Sequence, residues 1–405
     1  MPWKATCVMD EKTRFIAACL EGEEKMAELC RRFAVSRKTG YKWLGRYVEE
    51  GPAGLADRSR APGTHPNAVD AETETLLLAA RASHPTWGPL KLLAWLARRH
   101  PGRQWPALST VGDLLRRHGL VSARRPGRRV AAAPSDLQSP DGANQLWCAD
   151  FKGWFPTGDG RRCTPLTITD GHTRYLLRCQ GLGRRTGLAL VQPIFEAAFR
   201  EYGMPWAIRT DNGPPFASLG IAGLSELSVW WIRLGITPER IAPGRPEQNG
   251  RHERMHRTLK AETTRPPAHS RRAQQERLDR WRVEYNEERP HEALGQRPPA
   301  DLYAPSPRAL PARLPEIVYP DEWRTRSVRG AGQMKWRGRD VRVGKALVGQ
   351  RVGLEPVGDG VWRVHFAHLA LGTFDERSTR IHPEKRRPPR PPAAPSPMGE
   401  EGEEQ

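Results

Sequence analysis

The sequence predicts a multidomain chain with all-α helix-turn-helix modules at the N-terminus, a central α/β core on a mixed five-stranded sheet, and a small C-terminal β-barrel. Three observations carry this prediction. Apolar residues recur at helical spacing through the first 120 residues. Between 144 and 305 three strand-like runs give way to helix and strand in alternation, the mark of an α/β layer. From 315 to 382 short strand-like runs such as RDVRVG, QRVGLEPV and LALGTF are cut by Gly and Asp turns.

Length and charge are consistent with that division. The 405 residues carry 65 Lys+Arg against 46 Asp+Glu, a formal net charge of +19. At roughly 100–200 residues per domain the length predicts two to four domains. An apolar share of 38%, with 38 Gly and 38 Pro, fits small domains joined by linkers better than one large core. A sequence pI near 10.2 points to a polyanionic partner, most simply double-stranded DNA. No run is apolar for long enough to span a membrane, and charges interrupt the first fifteen residues, so neither a membrane segment nor a secretory signal is expected. The six cysteines form no CxxC pair, which argues for a reducing, cytoplasmic setting.

Residues 10–50 read as three short helices. Asp10 is placed to cap the first, with Phe15, Ile16, Cys19 and Leu20 on its apolar face. The second runs from 25 to 33. After the turn at Ala34-Val35, Ser36 caps a basic third helix, RKTGYKWLGRYVEE. This makes a helix-turn-helix domain over 1–55, with Arg37, Lys38, Thr39 and Lys42 as the DNA-contacting residues and Tyr41, Trp43 and Leu44 packing inward. Gly40 inside that helix weakens it by about 1 kcal/mol relative to Ala.

A second unit of the same proportions spans 69–121, with helices at 71–83, 89–99 and 109–118, the last capped by Ser109. Structural packing and DNA reading both remain open for it. Residues 122–143 form a basic linker in which Arg124, Arg125, Arg128 and Arg129 make a phosphate-contacting strap. The core is expected over 144–305, and the proline-rich, then acidic end at 383–405 is expected to be disordered.

The chemistry concentrates in the core. Asp150 sits inside the first strand, on the face opposite Trp147, Ala149, Phe151, Gly153 and Phe155, where a carboxylate is costly unless paired, protonated or bound to metal. Asp211 directly follows the strand PWAIRT, at a strand end where α/β folds place ligands, and Gly213 permits the turn there. A third carboxylate comes from Glu247 or Glu253. Glu247 is separated from Asp211 by 35 residues but lies in a Pro/Gly loop that fixes no rotamer. Glu253 lies on a helix whose other face is Met255 and Leu259, with His256, Arg257 and Lys260 on its own face, so Glu253 is chosen. Three carboxylates call for a hard cation, Mg²⁺ or Mn²⁺, and two ions roughly 3.5–4 Å apart serve in-line phosphoryl transfer.

Three segments resemble the motifs of retroviral-integrase-type cores. They are Trp-Cys-Ala-Asp ending at Asp150, Thr-Asp-Asn-Gly-Pro-Pro-Phe from Thr210, and Pro-Glu-Gln-Asn-Gly-Arg-His-Glu from Pro246 to Glu253. The run RPHEALGQRPPADLY from Arg289 resembles the tail of that core in bacterial insertion-sequence transposases. FAVSRKTGYKWLGRY and HPTWGPLKLLAWL are similar to their tandem helix-turn-helix modules. The match is to the insertion-sequence family numbered four-eight-one, over most of 10–380. The resemblance implies an RNase-H-like core and a catalytic, metal-holding triad of Asp150, Asp211 and Glu253. In that motif the glutamate follows the proline by seven residues, which also selects Glu253 over Glu247. Two departures are visible: 41 residues separate Asp211 from Glu253, more than in compact relatives, and Ala34 stands where such turns often carry Gly.

The implied protein is a nucleoid-associated bacterial DNA transposase. It binds element terminal inverted repeats, cleaves at their ends and joins the 3′-hydroxyl to target DNA. It works as a homodimer or higher oligomer, with Asn249, Arg257 and Lys260 contacting DNA near the triad. A DNA-binding regulator with a decayed core, and an RNase-H-like nuclease without strand transfer, are the alternatives.

Overall fold

The computed structural model describes residues 8–58, 68–121, 137, 139–242, 248 and 250–383. Two compact units divide the chain, Met1–Asp70 and Ala71–Gln405. The basic strap of Arg124, Arg125, Arg128 and Arg129, together with Glu247, Asn249 and the tail from 384, lies outside the described residues.

In the first unit, α1 (Val8–Glu21), α2 (Met26–Arg32) and α3 (Arg37–Glu50) close over Phe15, Ile16, Leu29, Cys30, Trp43 and Leu55. Ser36 caps α3, its hydroxyl accepting from the Thr39 backbone N–H at 3.2 Å. Asp10 proves to lie within the first turn of α1, not at its cap. Tyr41 is exposed, because the inward stripe of α3 runs through Gly40 and Trp43. Gly40 earns its place by volume: an added Cβ would lie 2.7 Å from Cys30 Sγ and 2.9 Å from the Phe15 ring. The turn before α3 places Ala34 at φ 52°, a left-handed conformation that a side chain resists.

The second unit is organised by a mixed sheet. Its strands are β1 (Leu146–Phe151), β2 (Phe155–Pro156), β3 (Arg162–Asp170), β4 (Leu176–Leu182), β5 (Ala207–Thr210) and β6 (Thr237–Arg240), in the order β4-β3-β1-β5-β6 with the two-residue β2 pairing β3. The expected five strands are thus joined by a sixth short one. β1 runs antiparallel to β3 and parallel to β5, and β5 parallel to β6. The alternation expected through Phe155 stops at Phe151, because Gly153 breaks the strand at φ 82° and is exposed.

Helices α7 (Leu188–Tyr202) and α8 (Glu226–Arg233) cover one sheet face, burying Trp147, Ala149, Ile168, Phe195, Phe199 and Trp231 in one core. Against the other face, α9 (Gly250–Thr263) and α10 (Arg271–Glu287) pack Met255, Leu259, Leu278, Trp281 and Tyr285 on Leu176 and Cys179. The sequence reading had no α10. Its apolar stripe is narrow and its sequence is mostly charged, although Ser270 caps it, accepting from Ala273 N–H at 3.3 Å.

Three further helices, α4 (Ala71–Ser83), α5 (Pro89–Arg99) and α6 (Leu108–Arg117), form a bundle around Leu77, Leu92, Leu96, Val111 and Leu114. The cap of α6 is Ala107, and Ser109 sits one residue inside the helix. This bundle docks on α9 and α10. His84 Nδ1 lies 2.9 Å from Glu284 Oε1, the Trp95 indole N–H donates to Glu288 at 3.1 Å, and Arg99 pairs with Glu288 at 2.8 Å. Arg98 pairs with Asp301 and Thr86 with Glu262. His84 is buried in this contact, whereas Arg98 and Arg99 keep about half of their side chains exposed. Glu262 is the junction, accepting from the buried Arg289 at 2.7 and 3.0 Å and from the Trp281 indole N–H at 2.6 Å.

The C-terminal strands are β7 (Arg324–Ser327), β8 (Gln333–Trp336), β9 (Arg339–Arg342), β10 (Arg351–Gly358), β11 (Val361–Phe366), β12 (Leu369–Asp375) and β13 (Ile381–Pro383). They do not close into the expected barrel. Among the described residues an antiparallel sheet of order β13-β12-β11-β10-β7 stays open at both edges, and β8 and β9 form a separate two-stranded ribbon. Both sheets bury Met334, Trp336, Val352, Val364, Phe366 and Phe374 between them. No helix of the described residues is long and apolar enough to cross a membrane.

Packing, backbone conformation and ion pairing set two contrasts in stability. Gly40→Ala should destabilise the first unit by about 1–3 kcal/mol despite its better helix propensity, whereas Ala34→Gly should stabilise it by up to about 1 kcal/mol. Hydrogen exchange of α3 amides in the full chain reads both. Glu262→Ala strands the buried Arg289 and should cost about 3–5 kcal/mol, whereas Arg272→Ala, from an exposed pair, should cost under about 1 kcal/mol. Chemical denaturation of the two variants against wild type measures the contrast.

Candidate active site

Asp150 lies on β1 at the register position opposite Thr167 of β3, on the sheet face that α9 covers. Its side chain is only 20% exposed. Burial, then the like charge of Asp211, and further that of Glu253, push its carboxyl up to about 7; the Phe151 backbone N–H and Lys152 act in the opposite sense. The three expected carboxylates are therefore close enough for their charges to couple at Asp150.

Asp211 follows β5 directly and is half-buried. The Gly213 backbone N–H donates to its Oδ1 at 3.1 Å, and burial raises its carboxyl above the ordinary range against that bond. Asn212 ties the loop to the end of β6 by donating to the Ile241 carbonyl at 2.9 Å. Gly213 has no positive φ. Its contribution is room, since a Cβ there would lie 3.2 Å from Asp211 Oδ2. Glu253 occupies the first turn of α9 and is exposed, as are Arg257 and Lys260. Arg37, Lys38 and Lys42 are exposed on α3, with Lys42 Nζ 4.6 Å from the Trp43 ring; Thr39 is half-buried and bonded to Ser36.

His256 does not share the face of Glu253. It is buried with His252, one turn apart and in line with Met255 and Leu259. Both imidazoles meet the hydroxyl of Thr167, His252 Nε2 at 2.6 Å and His256 Nε2 at 2.7 Å. His252 Nδ1 lies 3.2 Å from Thr169 Oγ1, and His256 Nδ1 lies 3.9 Å from Asp150 Oδ2. Burial holds both rings neutral, pushed down to about 3 for His252 and about 2 for His256. Sequence reasoning missed this pair. The signal was available in the i, i+4 spacing of His252 and His256, which puts them on the apolar stripe of the helix. Among the described residues, Asp150, His252 and His256 also form a group of possible metal-ligating side chains, their donor atoms within 4.8 Å of one another.

The raised carboxyl of Asp150 makes a prediction for the metal-free chain. A folded value of about 7 against an ordinary 3.8 means the folded state holds a proton that the unfolded state has lost. Stability from this group is present below about 4 and is lost as pH rises through 7. Asp150→Asn should therefore stabilise the protein in chelator at pH 8, on the order of 3 kcal/mol, with the gain shrinking toward pH 5. Thermal unfolding of both chains across that range checks it.

Family models agree with this architecture. A helix-turn-helix domain model matches residues 11–63 and a homeodomain-like domain model 39–115. Integrase core domain models match 140–246 and 234–299, and the IS481 family transposase C-terminal domain model matches 323–382. The insertion element IS407 uncharacterized 31.7 kDa protein of Burkholderia multivorans is 32% identical over 214 residues, 51% of this chain and 73% of that protein. The insertion element IS476 uncharacterized 39.2 kDa protein of Xanthomonas euvesicatoria is 31% identical over 186 residues, 45% of this chain and 51% of that one. Among solved structures, the catalytic core domain of BIV integrase aligns with 40% of this chain and 93% of its own at 20% identity and a TM-score of 0.31. The HTLV-2 integrase core in complex with magnesium aligns over 40% and 97%, at 15% identity and a TM-score of 0.29. With helix-turn-helix DNA-binding modules ahead of an integrase core and the matching C-terminal domain behind it, the chain belongs to the IS481 family of insertion-sequence transposases.

Proposed function

We propose that this transposase binds the terminal inverted repeats of its element, hydrolyses a phosphodiester at each end, and joins the freed 3′-hydroxyl to target DNA. The observation that carries the reading is a carboxylate near the end of β1, Asp150, that keeps only 20% of its side chain exposed while the charges of Asp211 and Glu253 bear on it. A cluster of like charges with this little compensation is what a cation site looks like before the cation arrives. The donor set fits a hard ion, because Asp150, Asp211 and Glu253 offer oxygens while both histidines are already bonded to Thr167. Mg²⁺ or Mn²⁺, as two ions held by these three residues, would supply charge stabilisation at the reacting phosphate.

In the first step water attacks phosphorus, the bond to the 3′ oxygen breaks, and that oxygen takes up a proton. In the second, the freed 3′-hydroxyl loses its proton as its oxygen bonds the phosphorus of a target phosphodiester, and the target's own 3′ oxygen leaves and takes up a proton. Arg257 and Lys260, exposed on the helix of Glu253, hold backbone phosphates close to the carboxylates, and Asn249 is assigned to the same task. Arg37, Lys38 and Lys42 enter the major groove of the terminal repeat, with Thr39 at their base, while the strap of Arg124, Arg125, Arg128 and Arg129 follows the backbone. Two ends have to be joined, so the working form is a homodimer or higher oligomer on DNA.

Joining of labelled element-end DNA to a target plasmid in Mg²⁺ tests the reading. Wild type and Glu247→Gln should give joined product, and Glu253→Gln should give at least about 100-fold less. Cleaved ends that never join would make the chain a nuclease, and bound ends that are never cut, in Mg²⁺ or Mn²⁺, would make it a regulator. A dead Glu247→Gln chain would move the third carboxylate to Glu247.

A further inference from the structure

We infer that Thr167 and His256 position the Asp150 carboxylate, through a one-way chain of hydrogen bonds that turns an imidazole N–H toward it. The inference rests on the reading of Asp150 as a cation-holding carboxylate. It starts from a count of protons. Thr167 Oγ1 has one hydrogen and three polar neighbours: His252 Nε2 at 2.6 Å, His256 Nε2 at 2.7 Å and the Asp150 carbonyl at 3.2 Å. Each neutral imidazole carries one N–H and one bare nitrogen, so choosing where the hydroxyl proton points decides both tautomers.

Three arrangements exist. If the hydroxyl donates to the Asp150 carbonyl, both rings must donate to Thr167 from Nε2. If it donates to His252, His256 must again donate from Nε2. Either way a bare Nδ1 of His256 faces Asp150 Oδ2 at 3.9 Å, lone pair toward anion. In the third, Thr167 donates to His256 Nε2 and accepts from His252 Nε2–H. His252 Nδ1 then accepts from the Thr169 hydroxyl at 3.2 Å, and the proton of His256 sits on Nδ1, directed at Asp150. Of the three, only this order turns an imidazole N–H, and not a ring lone pair, toward an ionised Asp150. At 3.9 Å the contact is too long for a hydrogen bond, so the N–H acts as an oriented dipole that selects which carboxylate oxygen turns toward α9. Thr167 stands opposite Asp150 in register and Thr169 opposite Cys148, so the whole relay is built on two paired strands and one helix, with no loop in it.

A purely structural role, in which the chain only fastens α9 to the sheet, makes a different forecast. Titration calorimetry of the full-length chain with Mn²⁺ and no DNA separates the two. Thr167→Val, which removes the relay hydroxyl at constant shape, should weaken Mn²⁺ affinity about 10-fold or more, and Thr167→Ser should restore it. Asp150→Asn should abolish binding. In the unsubstituted chain with Mg²⁺, histidine nitrogen chemical shifts, assigned by through-bond correlation, should show His256 protonated on Nδ1 and His252 on Nε2. Native Mn²⁺ affinity in Thr167→Val, or a His256 proton on Nε2, overturns the inference and leaves the site reading intact. Native affinity in Asp150→Asn overturns the site reading and this inference together.

Discussion

Asp150 is a largely buried carboxylate one residue from the end of β1, where the strand pairs β3, and the elements around it are arranged to make that position tolerable. An ionised group there has lost most of its water, and the charges acting on it include those of Asp211 and Glu253. Lys152 and the Phe151 N–H relieve part of the strain. The remainder leaves a carboxyl that is pushed up to about 7 in the chain without metal.

Helix α9 is what makes this arrangement possible, because it does opposite things on its two faces. Inward, Met255 and Leu259 fill the core while His252 and His256 satisfy the threonine hydroxyls of β3. Outward, Glu253, Arg257 and Lys260 stay in solvent. Further along the same helix, Glu262 anchors Arg289, Trp281 and the α4–α6 bundle. A rotation of the helix would break polar contacts at both ends, so the orientation of Glu253 is held by buried groups up to two and a half turns away.

Much of this was legible in the sequence because strong local rules agree with the fold. The β1, β3 and β5 segments are dense in apolar and β-branched residues, and Ser36 and Ala71–Ser83 obey capping and helical periodicity. Elements whose stability is tertiary escaped. α10 is charged along most of its length and is helical because Leu278, Trp281 and Tyr285 find partners on β4 and α9. His256 was assigned to the exposed face because its distance from Glu253 is three residues, while its four-residue distance from His252 describes where it points. Barrel closure was beyond reach for a related reason: strand pattern determines which faces are buried, and edge-to-edge pairing depends on register and twist that no short run encodes.

Helix α8 belongs to two cores at once. Leu227 and Trp231 are buried with the sheet of the integrase-type core, while Val229 and Ile232, with Leu224 just before the helix, are buried with Trp336, Val364 and Phe374 of the C-terminal sheets. This helix lies within the long stretch between Asp211 and Glu253, so the spacing between two site carboxylates and the attachment of the last domain are written in one segment. A chimera that exchanged the C-terminal sheets at a linker boundary would inherit a mismatched face on α8. A clean exchange would therefore have to carry the sheets together with the segment from 219 to 234.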